Sequence, residues 1–147
     1  MSCSVSRCVE PLRCGLLIAG VLTLMTGCVD RLPAQDRRIL DAVPAAKLTV
    51  EDLSRDYQQD RKAADKRYWG KAIEVSGLVA STRDEAMGAA LIFADKSGTP
   101  IVEAGLLDDQ AKAILASTAD SRRVMLRCYC DGLNGRVMLK SCVAAAK

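Results

Sequence analysis

The sequence after Gly70 contains five short segments typical of β-strands and one helical pattern between the third and the fourth. The first segment, residues 72–81, alternates apolar and polar side chains with the period of two that a half-buried strand requires. The other strand segments are residues 89–94, 100–104, 124–130 and 136–143, and the helical pattern covers residues 108–117. This order leaves few folds, because short strands joined by turns close into a barrel or stack as a sandwich.

Gly77 lies inside the first strand segment and indicates a bulge or a sharp bend. A bent first strand can serve both halves of a barrel, and five strands with one helix after the third is the element order of an OB-fold. We therefore predict a mainly β domain, a five-stranded OB-fold-like barrel from Lys71 to Val143, with a small α+β sandwich as the alternative. The side chains expected in its core are Val75, Val79, Leu91, Phe93, Val102, Leu126 and Leu139.

A helix is predicted before the barrel, over residues 49–68. Thr49 is a suitable N-cap residue, and Glu51 and Asp52 follow in the first turn, where the helix dipole favours negative charge. Arg61 interrupts the apolar stripe of this helix midway. We therefore expect the helix to pack outside the barrel by its two ends, as a lid.

The beginning of the chain has the pattern of a secretory signal. Arg7 and Arg13 precede an apolar segment, residues 15–26, that carries no charge. The segment is too short to cross a bilayer core of ~30 Å as a helix. It ends in Leu-Met-Thr-Gly and Cys28, which resembles the lipobox of bacterial lipoproteins, where the cysteine is lipidated and becomes the first mature residue. An ordinary signal peptide with a chance cysteine, or a buried apolar helix, is the alternative.

The chain is therefore divided into a signal peptide (residues 1–27), lipidated Cys28 with a flexible tether (28–47) and an OB-fold-like domain (48–147). The tether contains prolines, alanines and mixed charges, although Ile39 and Leu40 could instead start a short helix. The signal predicts an exported protein. Val29, which follows the lipidated cysteine, predicts sorting to the periplasmic face of the outer membrane if the source is Gram-negative. The lipid is then its contact with the membrane.

Composition argues against two classes of function. The net charge is +3, of which the signal peptide contributes +1, so only +2 remains from Cys28 onward. Strong nucleic-acid binders show a clear basic excess, so we expect no nucleic-acid partner. The chain has no histidine, which removes the commonest general base and the commonest metal ligand. Since no nucleophile–base pair and no pair of acid–base carboxylates can be named, we predict a protein that is not an enzyme and needs no cofactor.

Three cysteines remain in the domain. Cys128 and Cys130 are alternate residues of one strand, so their side chains point to the same side. With Cys142 they would offer three thiolates, but a zinc site takes four ligands, and we predict no metal site. A regular hairpin turning over residues 131–135 would place Cys130 ~20 Å from Cys142, far beyond the ~5.5 Å of a disulfide. A distorted hairpin, an intermolecular bond or unpaired thiols all remain open.

Six segments of the sequence form one recurring pattern: Ala63-Ala64-Asp65, Tyr68, Gly70-Lys71, Val75-Ser76-Gly77-x-Val79, Cys130-Asp131-Gly132-Leu133 and Val137-x-Leu139-x-x-Cys142. Together they resemble the tRNA_anti-like family, a bacterial OB-fold family that often includes exported lipoproteins. The resemblance covers residues 50–143 and implies an OB-fold and a disulfide between Cys130 and Cys142. It does not imply tRNA binding, since an exported protein would rarely meet tRNA. The sequence departs from the family pattern at Val102-Glu103-Ala104 and at Cys128.

A small basic surface is the predicted ligand face. It consists of Lys71, Arg127, Tyr129 and Lys140. OB-folds bind ligands on the face of their second and third strands, where this sequence offers Phe93 and Lys96. We therefore predict a lipid-anchored, non-enzymatic binding or scaffold module of the bacterial cell envelope, whose partner is an envelope protein or a small ligand. The alternative is single-stranded nucleic-acid or oligosaccharide binding on the barrel face.

Overall fold

The computed structural model describes residues 35–85 and 88–145. The predicted signal peptide and Cys28 lie outside these residues. The elements in chain order are a 3-10 helix (Arg37–Leu40), β1 (Lys47–Thr49), α1 (Val50–Gln59), α2 (Arg61–Tyr68), β2 (Ala72–Glu85), β3 (Gly88–Ala94), β4 (Pro100–Leu106), α3 (Asp108–Asp120), β5 (Arg123–Asn134) and β6 (Arg136–Ala144). Over these two ranges, every helix is too short or too polar to cross a membrane.

Five of the strands form a closed barrel in the order β2–β3–β4–β6–β5, and β5 pairs again with β2. β4 and β6 run parallel, whereas the other neighbours in the barrel are antiparallel. The three-residue strand β1 adds a parallel pairing to β2 at residues 74–76. This strand order, with α3 between β4 and β5, confirms the predicted OB-fold-like barrel and excludes the sandwich.

The bend predicted at Gly77 is the point where β2 changes partner. Residues 72–78 pair with β5, and pairing with β3 begins at Val79. A Cβ atom on Gly77 would lie 2.5 Å from Val50 Cγ2 and 3.0 Å from Phe93 Cδ1. Glycine is therefore required because the start of α1 and the core both approach this backbone closely.

The barrel interior contains all seven of the predicted core side chains, and each of them is buried. α1 belongs to the same apolar cluster through Val50, Leu53 and Tyr57, and it contacts β1, β2, β4 and β6. The prediction of an outer lid over residues 49–68 is thus wrong. Asp60 divides that segment into two helices, because its side chain accepts a hydrogen bond from the Ala63 N–H and caps α2.

The chain before β1 is also packed on the barrel, and residues 35–46 are called the docked segment below. The Asp36 N–H donates to Ser141 Oγ at 2.8 Å. The side-chain amide of Gln35 donates to the Leu106 carbonyl at 3.3 Å and accepts from the Asp108 N–H at 2.9 Å. These contacts connect the docked segment to the ends of β4 and β6 and to the start of α3.

Ile39 is the apolar anchor of the docked segment. It is fully buried in a small cluster with Ala72, Leu107 and Val143. The prediction of a flexible tether over residues 28–47 is therefore wrong from residue 35 onward. A short helix is present, as the alternative expected, but it spans Arg37–Leu40 and ends at Leu40 instead of starting at Ile39. Burial of an isoleucine side chain contributes about 1.5–3 kcal/mol, which helps to offset the entropy lost by ordering the segment.

Replacement of Gly77 by alanine tests the close approach at the bend. We expect Gly77→Ala to lower the free energy of unfolding by about 1–3 kcal/mol, because the new methyl group overlaps Val50 and the core must shift. Urea unfolding of the purified chain, followed by circular dichroism, measures the change. Gly105→Ala is the matched control, since its Cβ would meet only the Leu139 carbonyl at an ordinary 3.5 Å. Equal effects of the two substitutions would contradict this account.

Candidate ligand-binding face

The structure brings three of the four predicted ligand-face residues together. Arg127 and Tyr129 lie on β5, and Tyr129 pairs with Lys140 of β6. Lys71 lies directly before β2, and its ammonium group donates to the Lys66 carbonyl at 2.8 Å. The predicted face therefore exists as a surface of the β5–β6 hairpin, with Lys71 directed instead toward the end of α2.

This surface is the place where the docked segment packs, so its groups already have partners. The Arg127 guanidinium donates to the Leu40 carbonyl at 3.3 Å, and Tyr129 packs against the Ile39 cluster. The Lys140 ammonium forms an ion pair of 2.6 Å with Asp131. The docked segment therefore lies against Arg127 and Tyr129, and Lys140 is engaged by Asp131 of β5.

A different charged group lies on the outer face formed by β2, β3, β4 and β6. Glu103 of β4 is bonded by Arg83 of β2 at 2.6 Å and by Arg136 of β6 at 3.0 Å. The Glu103 side chain is only 7% exposed, whereas each arginine side chain is 37% exposed. We call these residues the Arg83–Glu103–Arg136 triad.

The triad occupies the region through which OB-folds bind their ligands. In register with Glu103 lie Ile92 of β3 and Met138 of β6, both half-buried. Two guanidinium groups share one carboxylate, which leaves one net positive charge and several N–H donors near solvent. The face can therefore offer hydrogen bonds to carboxylate, phosphate or hydroxyl oxygens beside an apolar strip.

Sequence reasoning missed the triad and placed two other residues in this region. Phe93 is fully buried in the core, and Lys96 lies in the exposed turn between β3 and β4. The available signal was Glu103 itself, a single carboxylate inside the apolar segment of β4. A buried carboxylate requires a cationic partner, but the sequence alone does not say which arginines supply it.

The cysteines pair differently from the expectation. The disulfide joins Cys128 and Cys142, whose Cα atoms are 4.2 Å apart, and Cys130 is a buried free thiol. The Cys130–Cys142 pairing implied by the family resemblance is thus wrong for this chain. The hairpin turns at Gly135, between paired residues 134 and 136, and the register of Arg127 with Val143 brings the next residue, Cys128, opposite Cys142.

Cys130 has a structural environment rather than a reactive one. Its Sγ lies 3.3 Å from Tyr57 Oη, and both side chains are buried in the core. Burial raises the pKa of the Cys130 thiol and, for the same reason, the pKa of the Tyr57 phenol. Both groups therefore stay protonated at neutral pH, and a protonated buried thiol is a poor nucleophile.

Within residues 35–85 and 88–145, no three cysteine or carboxylate side chains are grouped to hold a metal ion.

Comparison with known proteins places these observations in a family context. The sequence model of the tRNA_anti-like family matches residues 13–143. No curated protein matches the chain. A solved structure of a candidate nucleic acid-binding lipoprotein from Klebsiella pneumoniae is 11% identical, covers 76% of this chain and 98% of its own, and has a TM-score of 0.53, which shows a shared fold.

Two further solved structures have lower TM-scores. The OBody AM1L10 bound to hen egg-white lysozyme is 17% identical over 54% of this chain and 82% of its own, with a TM-score of 0.33. A candidate aspartyl-tRNA synthetase from Leishmania major is 14% identical over 69% of this chain and 21% of its own, with a TM-score of 0.38.

Peptide mapping tests the cysteine pairing. Tryptic digestion of the oxidised protein is expected to release peptides 128–136 and 141–147 joined by the Cys128–Cys142 disulfide. Cys130 is expected to react with an alkylating reagent only after unfolding, because it is buried and its pKa is raised. Mass spectrometry of the Cys130→Ala variant is the control, and it should retain the joined peptides. Loss of the joined pair in that variant would show that Cys130 carries the disulfide.

Proposed function

This chain belongs to the tRNA_anti-like family, and from that premise we propose that it is a non-enzymatic, lipid-anchored OB-fold binding module of the bacterial cell envelope. The observation that carries the proposal is the docked segment. Because the chain is already packed on the barrel at residue 35, only residues 29–34 separate the barrel from Cys28. Even fully extended, six residues span at most about 22 Å. A lipid on Cys28 would therefore hold the domain beside the membrane.

The outer face of the barrel is the proposed binding surface. Arg83 and Arg136 are held in place by Glu103, and the side chain of each arginine stays 37% exposed. Because both guanidinium groups are already paired with Glu103, this arrangement suits a ligand with a few hydroxyl or carboxylate oxygens better than a polyanion. A binding role also agrees with the chemistry of the cysteines, since one pair is oxidised and the third thiol is buried.

Single-stranded nucleic-acid binding is the second candidate, and the name of the Klebsiella pneumoniae protein favours it. The charge distribution argues against it. In the part of the chain that the structure describes, nine ion pairs each engage a different lysine or arginine. Phosphate contacts dominate nucleic-acid affinity, and a cation that is already paired with a carboxylate contributes little to them.

Replacement of Cys28 tests the anchor. We expect Cys28→Ala to remain an uncleaved precursor and to lose labelling by a fatty-acid analogue, because the acylated sulfur is missing. Cys14→Ala, which changes a cysteine inside the predicted signal peptide, is the matched control and should be labelled like the wild type. Labelling of Cys28→Ala at the wild-type level would overturn the proposed anchoring.

Titration with short DNA and RNA oligomers distinguishes the two candidates. At physiological salt we expect dissociation constants no tighter than the non-specific range of ~10⁻⁴ to 10⁻⁶ M, measured by fluorescence anisotropy. The double variant Arg83→Gln, Arg136→Gln should then behave like the wild type. Nanomolar, salt-resistant binding that this variant loses would instead assign nucleic acid as the ligand of the triad.

A further inference from the structure

Trp69 is the only tryptophan of the chain, and its side chain is exposed. The four other aromatic side chains are buried or half-buried. An exposed indole is not unusual by itself, since apolar atoms cover much of any protein surface. Its rigid support and its polar neighbours make this one informative.

Backbone pairings fix the main chain at Trp69, and its indole contacts Gly132. The Trp69 N–H donates to the Asp65 carbonyl at 3.0 Å at the end of α2, and Trp69 forms a bridge with Cys130 of β5. The indole edge lies against Gly132, where a Cβ atom would be 3.3 Å from Cδ1 and 3.9 Å from Nε1. Gly132 has a φ of +86°, which favours glycine, so the strand leaves room for the ring.

Polar side chains surround the indole in a groove of about 360 Å³, which Arg61, Asp65, Asp131 and Gly132 line with it. Arg61 Nε lies 3.8 Å from Asp65 Oδ2, and the Lys140 ammonium bonds Asp131. The two cations and the two carboxylates sum to zero net charge. Both carboxylates remain partly exposed, at 38% for Asp65 and 26% for Asp131.

We propose that this groove binds a pyranose ring of an oligosaccharide. The ring would stack its C–H face on the indole of Trp69, while its hydroxyl groups donate to Asp65 and Asp131 and accept from Arg61. Ligand sites generally combine an apolar wall with a few fixed polar groups, and carboxylate and guanidinium groups bond neutral hydroxyls well. The inference goes beyond the proposed function, because this groove shares no residue with the Arg83–Glu103–Arg136 triad.

The chemistry of the groove favours a neutral sugar over two other ligands. A nucleic-acid strand stacked on Trp69 would gain no net attraction for its phosphates here, because Arg61 and Lys140 are already paired with Asp65 and Asp131. A quaternary ammonium group is held best between several aromatic faces, and this groove contains one. A neutral ring with many hydroxyl groups matches both the single aromatic face and the balanced charge.

The fluorescence of the single tryptophan reports directly on this groove. The purified full-length protein, kept in a detergent without a sugar head group, is titrated with the β-1,4-linked tetramer of N-acetylglucosamine. We expect a saturable shift of emission to shorter wavelength with a dissociation constant of about 1 mM or tighter. Asp131→Asn should weaken binding about tenfold, because it removes a charged acceptor. Leu78→Ala, an exposed apolar side chain outside the groove, is the control and should bind like the wild type.

Variants of Trp69 itself are followed by isothermal titration calorimetry, after circular dichroism has shown that they fold. Trp69→Ala should lose binding, and Trp69→Phe should retain it within about tenfold, because a smaller ring still stacks. Unchanged emission up to about 10 mM tetramer, or wild-type affinity in Trp69→Ala, would overturn the proposal. A larger shift with a single-stranded oligonucleotide would replace it by base stacking. None of these readouts depends on acylation of Cys28, so failure here and failure of the anchor are separate results.

Discussion

The barrel depends on one strand that exchanges partners along its length. β2 pairs with β5 through residue 78 and with β3 from residue 79, so it supplies two sides of the closed sheet. The exchange requires a backbone that bends near Gly77 and that lets Val50 and Phe93 come close. Closure follows from this bend, and closure is what leaves the barrel without long unpaired edges. The core then fills from the inward faces of all five strands and from α1 and α3.

The basic side chains on the outer surface are paired with carboxylates and do not form a large positive patch. Glu103 shows the principle most clearly, because a carboxylate that is almost buried on β4 would be unstable without its two arginines. The pairing also fixes the arginine head groups, which would otherwise sample many rotamers. A surface with paired charges offers directional hydrogen bonds instead of a strong positive electrostatic potential. It suits selective, moderate recognition of oxygen-rich ligands better than the capture of a polyanion.

Local patterns predicted the barrel well, because strand period and turn residues act over a few positions. The bend at Gly77 and the buried core were accessible in this way. The docked segment was not, since Ile39 is an apolar residue among alanines and prolines until its distant partners are known. The cysteine pairing was mispredicted for a related reason. Asp131-Gly132 and Asn134-Gly135 are both good turn sequences, and only the full register of the hairpin selects the second.

The candidate site was harder to predict than the fold, because a binding site needs a surface that no other part of the chain covers. Arg127, Tyr129 and Lys140 do share a surface, as their strand positions indicated. What the sequence could not show is that the docked segment lies on them. Conversely, Trp69 is the single tryptophan of the sequence, but its contact with Gly132 joins residues 63 positions apart in the chain.

The Cys128–Cys142 bond has a consequence for the chain before it folds. It closes residues 128–142 into a covalent ring that contains the hairpin turn and most of β6. In the chain-entropy account, closing a loop of this size removes unfolded-state freedom worth about 3 kcal/mol. The two strands of the hairpin therefore cannot diffuse far apart once the bond has formed. In an oxidised unfolded chain, β5 and β6 are therefore already held close together. In a reduced chain, these two strands must first meet by diffusion.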